Sequence, residues 1–204
     1  MKKNFTINIK GIIFNIDDDA FDKLNDYLNR LKQHFSTQES GEDVVSDIEA
    51  RIAELLQERI NDKKQVITIE DIEQIIKILG EPYEMDENEA EEEKPSHSSF
   101  RPKTKQLFRD PDNRIIGGVG GGLGTYFNTD PLWFRLLFVA SFFATGPLTY
   151  LIFWIAVPLA RTTSDRLNMK GKKINIDNIE KSVKEEVKNV SESFNNYTGK
   201  AKES

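Results

Sequence analysis

Six of the eight residues from Gly117 to Gly124 are glycine. A glycine-rich turn opening a helix can bring backbone N–H groups against a phosphate, so nucleotide binding is the first chemistry to consider. The spacing argues against it. No G-x-x-x-x-G-K-[ST] occurs, and Gly118 and Gly120 are followed by Leu123 where G-x-G-x-x-G needs its third glycine. Gly117 with Gly121, Gly118 with Gly122 and Gly120 with Gly124 instead form small-xxx-small pairs. On a helix such pairs let a second helix approach closely. Each glycine weakens an isolated helix by roughly 1 kcal/mol relative to alanine. The expectation is therefore a short packing helix, with Gly117, Gly118, Gly121, Gly122 and Gly124 as packing positions, supported by a neighbouring membrane segment. Asn128-Thr129-Asp130-Pro131 follows as a turn and cap, with Pro131 at the first position of the next helix.

Other chemistry is sparse. Asp17-Asp18-Asp19 suggests a calcium loop, but the D-x-[DN]-x-[DN]-G spacing is absent because Asp22 stands at the sixth position. Helix capping is the better use of these carboxylates. Asp47, Glu49, Glu54 and Glu58 read as a solvated helix face, with Arg51 and Arg59 near enough to pair locally. The two histidines, His34 and His97, are far apart, and there is no cysteine. That removes disulfides, thiolate metal sites and cysteine nucleophiles. No nucleophile–base pair, metal cluster or cofactor loop is present. The expectation is a protein that is not an enzyme, holds no cofactor or metal and does not bind nucleic acid.

Leu136 to Ala160 is a run of 25 residues without a charge, flanked by Arg135 and Arg161, in a chain that is 30% charged. As one helix it would reach roughly 37 Å, enough to cross a hydrocarbon core of about 30 Å. Only Ser141, Thr145 and Thr149 interrupt its apolar character before Tyr150, so no polar stripe marks it as a soluble core helix. Gly146-Pro147 breaks the run and leaves two readings, a single kinked span or a re-entrant hairpin with both ends on one side. Length favours the single span. The basic residues Arg101, Lys103, Lys105, Arg109 and Arg114 before the run, and Arg161, Arg166, Lys170, Lys172 and Lys173 after it, suit the hairpin. The start, MKKNFTINIK, has no apolar stretch of the kind a cleavable signal peptide needs, and none is expected.

The remaining elements are organised around that run. Residues 1–94 carry 12 Lys/Arg and 24 Asp/Glu, whereas residues 95–135 and 161–204 each carry a net charge of +3. Phe5, Ile7 and Ile9, then Ile12, Phe14 and Ile16, alternate on either side of Lys10-Gly11 and predict a β-hairpin. Phe21, Leu24, Leu28, Leu31 and Phe35 predict the apolar face of a first helix, and Val45, Ile48, Ile52, Leu55 and Leu56 that of a second. A third is bounded by Thr68 and Asp71 as a capping box and by Gly80 and Pro82 as a stop, with Ile69, Ile72, Ile75, Ile76 and Leu79 inward. Residues 1–85 thus read as a small α+β interaction module of a β-hairpin plus three helices. Residues 86–106, opening in the acidic run Glu84–Glu93, read as a disordered charged linker. Residues 107–160 form a mainly α membrane unit, and 161–204 a basic juxtamembrane stretch and an amphipathic helix. In that last helix Ile176, Ile179, Val183, Val187, Val190 and Phe194 recur at spacings of 3 and 4. The stripe either binds a partner or packs on the chain's own amino-terminal module.

Two resemblances add to this. YLNRLKQHF at 27–35, DVVSDIEARIAELL at 43–56 and ITIEDIEQIIKILGEP at 67–82 resemble the HAAS domain, a small helical module beside transmembrane regions of bacterial signalling proteins. The strand pair is not part of that pattern. Residues 109–158, about a quarter of the chain, strongly resemble the PspC domain. The likeness rests on Arg109, Asp110, Arg114, Gly117, Gly118, Gly121, Gly122, Tyr126, Phe127, Asp130, Pro131, Arg135, Trp154 and Pro158. The family's variable position within the glycine run is Gly120 here. This resemblance implies a bacterial inner-membrane protein of the phage shock type of envelope stress response. It would be non-enzymatic, in contact with membrane lipid, and bound to membrane-stress proteins or to further copies of itself. Its amino-terminal module would lie in the cytoplasm. The alternative is a membrane-tethered regulator that sequesters a soluble transcription factor through residues 1–85.

Overall fold

Lys10 and Gly11 both take positive φ, 51° and 84°, the backbone that a two-residue hairpin turn requires. They join β1 (Asn4–Ile9) to β2 (Ile12–Asp17). The computed structural model describes residues 3–61, 64–82, 105–145 and 147–202. After the hairpin come α1 (Asp18–Phe35), α2 (Gly41–Arg59), β3 (Val66–Ile67), α3 (Ile69–Leu79), α4 (Val119–Phe127), α5 (Pro131–Thr145), α6 (Leu148–Ala156), α7 (Thr163–Lys170) and α8 (Ile176–Lys202). Nearly all of the linker expected over 86–106 lies outside the described residues.

The chain forms two compact units, Met1–Ser96 with Asn175–Ser204, and His97–Ile174. In the first, the antiparallel register runs from Asn4 opposite Asp17 to Ile9 opposite Ile12. The sequence did not announce β3, a two-residue strand that pairs parallel with β2 through Asn15–Val66 and Ile16–Ile67. Phe14, Ile16 and Ile67 are buried, and α1 packs against the hairpin.

The inward face of α1 is Ala20, Leu24, Tyr27, Leu31 and Phe35. Tyr27 thus takes the place expected of Leu28, because its phenol has a partner: the hydroxyl donates to the Gly80 carbonyl at 2.8 Å. A buried tyrosine needs such a bond, and this one ties α1 to the end of α3. Burial, with the charge of Glu81 beside it, pushes the Tyr27 phenol above its ordinary range. At the start of α3, the Asp71 carboxylate accepts from the Thr68 N–H at 2.9 Å, half of the capping box. Gly80, at φ 93°, ends the helix.

Helix α2 buries more than one face, including Val44, Ile48, Arg51, Ile52, Ala53 and Leu56. The reason is α8, which packs on α2. Ile176, Ile179 and Val183 of α8 are buried, whereas Val187 and Val190 are exposed. The Phe194 side chain lies outside the described residues. Of the two uses the stripe allowed, its first half packs on the chain's own module. The stretch read as one piece over 161–204 is divided accordingly. α7 belongs with the second unit and α8 with the first.

In the second unit the uncharged run is not one helix. α5 has 15 residues and α6 has nine. Among the described residues no helix is long and apolar enough to cross a membrane. The rings of Phe138 and Tyr150 lie 5.3 Å apart, and those of Phe138 and Phe153 5.9 Å. Along one straight helix the latter pair would be separated by roughly 22 Å. The single kinked span favoured by length is therefore replaced by two helices that fold back on each other. Pro147, which cannot donate to a continuous helix ladder, caps α6.

Candidate functional site

Arg109 organises the second unit. Its backbone N–H donates to the Pro158 carbonyl at 2.7 Å, and its own carbonyl accepts from Ala160 at 3.1 Å, a single parallel bridge to Leu159. The guanidinium Nε donates to Val157 O at 2.9 Å and Nη1 to Gly117 O at 3.3 Å. Its carbon lies 5.6 Å from the centre of the Trp154 ring, a cation–π contact. One planar, always-charged side chain thereby joins the segment before the glycines to the end of α6.

Asp110 shapes the next turn. Its carboxylate accepts from the N–H groups of Asp112 at 2.9 Å and Asn113 at 3.3 Å, and its own N–H donates to Gly118 O at 3.1 Å. Gly117 and Gly118 have φ of 62° and 80°. They are not on the helix, as the spacing had suggested, but form the left-handed lead-in to α4, which starts at Val119. L residues with a Cβ disfavour that conformation.

The glycines admit mostly backbone from a non-helical segment. A Cβ on Gly122 would fall on the Phe108 carbonyl, and one on Gly118 on that of Asp110. On Gly121 it would lie 2.7 Å from Asn113 O. The segment 108–113 thus lies directly against α4. Gly117 faces Trp154 and Tyr150 of α6, and Gly124 would meet Pro131 Cγ at 2.7 Å. Gly120 faces Arg135, whose Cγ a Cβ would meet at 3.1 Å and whose backbone N at 3.9 Å.

Tyr150, outside the motif, and most of the remaining motif residues complete this arrangement. Tyr150 donates its hydroxyl to Ile116 O. Asp130 accepts from Leu132 N–H at 2.8 Å and so caps α5, which Pro131 begins. Arg135 donates to Asn113 Oδ1 at 2.8 Å and to its carbonyl at 3.1 Å. Tyr126 meets Phe127 edge-on at 5.1 Å, and Phe127 stacks on Phe134 at 5.7 Å. Arg114 is exposed. Apart from Arg114, the motif residues read from sequence are therefore brought together around α4. Their roles are structural: a cap, a backbone tie or a close approach.

Residues 105–160 match the PspC domain family. This bears out the resemblance read from residues 109–158, and PspC domains are associated with phage shock and envelope stress proteins. Neither the curated proteins nor the solved structures give a match to the chain.

The PspC segment leaves much apolar surface uncovered. Leu132, Trp133, Leu136, Leu137, Val139 and Phe142 on α5, and Leu148, Leu151, Ile152 and Ile155 on α6, are exposed. Among the described residues no group of His, Cys, Asp and Glu is arranged to hold a metal ion. One feature of the unit went unread in the sequence. Thr162 and Asp165 form a reciprocal capping box at the start of α7, with Asp165 N–H donating to Thr162 Oγ1 at 3.1 Å and Thr162 N–H to the Asp165 carboxylate at 3.2 Å. The T-x-x-D spacing of residues 162–165 was the available signal.

Proposed function

We propose that this protein is a non-enzymatic, membrane-seated adaptor of the phage shock type of stress response in the bacterial plasma membrane. It enters the bilayer from one side through the α5–α6 hairpin. The observation that carries this reading is the packing of α8 on α2. These helices flank the apolar run in sequence, and their packing requires both flanks to share one compartment. A single crossing would separate them.

The hairpin's dimensions support the same topology. α5 rises about 22 Å and α6 about 14 Å, each short of the roughly 30 Å core. Their exposed Leu, Phe and Ile side chains suit lipid tails, while Trp133 and Trp154 are of the type enriched at the membrane interface. The 105–174 unit carries nine Lys/Arg against four Asp, a balance suited to the cytoplasmic leaflet. Its motif residues are engaged in holding α4, which supports a scaffold and not a catalyst. The module built from residues 3–82 and α8 is then the part that meets stress-response proteins on the cytoplasmic side.

Cysteine labelling in intact cells tests this, since the chain has no cysteine of its own. Lys77→Cys and Lys188→Cys, each at an exposed position, are treated separately with a membrane-impermeant maleimide. Protection of both until lysis is expected. Labelling of one position but not the other before lysis would overturn the one-sided topology.

A further inference from the structure

We infer that the PspC unit carries a phosphate-binding cleft that receives the headgroup of an anionic phospholipid. The inference rests on the membrane reading above and adds a specific ligand class to it. A cleft of about 430 Å³ opens between the end of α4, the start of α5 and the last turn of α7. Its polar lining is Lys105, Lys170, Asn113, Asn128, Thr125 and Thr129, with two cations and no carboxylate.

The neighbouring acids are directed elsewhere. Asp130 caps Leu132 N–H, Asp110 accepts from the 112–113 turn, and Asp112 lies 3.9 Å from Arg166. A third cation adds to the positive field, because Arg135 donates to the side chain of the lining residue Asn113. The position of Lys105 is built into the fold. Gly171 ends α7 at φ 69°, and the Lys105 alkyl chain lies so close that a Cβ on Gly171 would meet its Cε at 3.0 Å. A glycine therefore lets Lys105 lie across the end of the helix that supplies Lys170.

Location selects lipid over a free anion. Pro131 lines the cleft, and the next residues, Leu132 and Trp133, are 63% and 67% exposed at the root of the apolar hairpin. The hydroxyls of Thr125 and Thr129 donate to Gly121 O and Phe127 O, so a phosphodiester held by the lysine ammonium groups and the asparagine amides would place its acyl chains along α5. The cleft offers compact point charges and neutral donors, which fit a phosphodiester headgroup without demanding the planar pairing that guanidinium gives.

The test is flotation of the full chain with vesicles of phosphatidylcholine, with and without phosphatidylglycerol, at high ionic strength where diffuse attraction is screened. Lys105→Gln with Lys170→Gln should weaken binding to phosphatidylglycerol vesicles about tenfold, on the scale of lysine–anionic lipid contacts. Binding to phosphatidylcholine should be unchanged, which also reports that the variant folds. Lys172→Gln with Lys173→Gln removes the same charge outside the cleft and should leave phosphatidylglycerol binding near wild type. Equal losses in the two double variants would overturn the site. Release of the wild type from phosphatidylglycerol vesicles by inorganic phosphate would reassign the cleft to free phosphate. Equal binding of the wild type to both vesicle types would reject the headgroup site while leaving the membrane reading intact. Binding to neither would reject the membrane reading itself.

Discussion

The rings of Phe138 and Phe153 meet at 5.9 Å with a 70° interplanar angle, although 15 positions separate them in a continuous uncharged run. Edge-on aromatic pairs of this kind contribute about 0.5–1.5 kcal/mol beyond the area they bury. Together with Phe138–Tyr150, the contact makes the two apolar helices a packed hairpin. The clamp of Arg109 on Val157 and Gly117 holds the far end of α6 beside the start of α4.

The glycines of α4 can be separated by what each one faces. Gly122→Ala would drive a methyl group into the Phe108 carbonyl, a backbone atom with little freedom to move. Overpacking of this kind costs about 1–3 kcal/mol, and a steric overlap this severe should outweigh the gain in helix propensity. Gly120→Ala meets chiefly the Arg135 Cγ, at 3.1 Å, with the backbone N at an ordinary 3.9 Å, so the propensity gain of up to about 1 kcal/mol should keep it close to neutral. Thermal denaturation of both full-length variants in micelles measures the difference. Equal stabilities would show that segment 108–113 does not lie against α4.

How far the sequence announced this arrangement depends on the range of the interaction. The hairpin turn at Lys10-Gly11, the capping box at Thr68–Asp71 and the stop at Gly80 are local, and residue type and spacing suffice to find them. The glycine pairs were visible, but not what they face. Spacing reports that a backbone approaches closely, and a helix and an extended segment need the same small residues. The hairpin of α5 and α6 was one of two readings, and length pointed to the other because length and hydropathy do not register a reversal between two helices. β3 is too short for alternation to show. Tyr27 could be recognised as buried only once Gly80 was placed beside its hydroxyl.

The two halves of the α8 stripe should respond differently to truncation. Ile179 is fully buried in the module, whereas Val190 is 69% exposed. Ile179→Ala should destabilise the module by about 2–5 kcal/mol, and Val190→Ala should stay within about 0.5 kcal/mol of wild type. Amide hydrogen exchange of α2 in the full chain is the suitable measurement, since α2 is the helix that α8 covers. Unchanged α2 protection in Ile179→Ala would remove the argument for one-sided topology.

Acid should weaken the module through Asp71. Burial raises the pKa of this carboxyl, but the Lys64 ammonium and the Thr68 N–H and hydroxyl more than offset that, and the result lies below the ordinary value of 3.8. A depressed folded pKa gives stability that is fully present above the unfolded value and is lost as pH falls through the folded one. The module should therefore hold its stability down to about pH 4 and lose it progressively below. Asp71→Asn should cost about 0.5–2 kcal/mol near neutrality, on the scale of a lost helix cap, and flatten that part of the acid dependence. Denaturation of the full-length pair across pH 2–6 checks both. An unchanged acid slope in the variant would assign the dependence to other carboxylates.

Leu137 and Ile152 separate the role of the hairpin in lipid from its role in folding. Both are well exposed, at 62% and 58%, so arginine at either position removes little packing within the protein. In a bilayer each charge would cost about 2.5–3.5 kcal/mol on insertion scales when held near mid-depth, less where the side chain can reach the interface. Leu137→Arg with Ile152→Arg should therefore move the chain from the membrane to the alkaline-carbonate supernatant while α2 keeps its exchange protection. Retention in the carbonate-washed membrane would mean that these faces do not contact lipid tails. Loss of α2 protection together with release would instead trace the effect to misfolding, and the single variants would then be used to locate it.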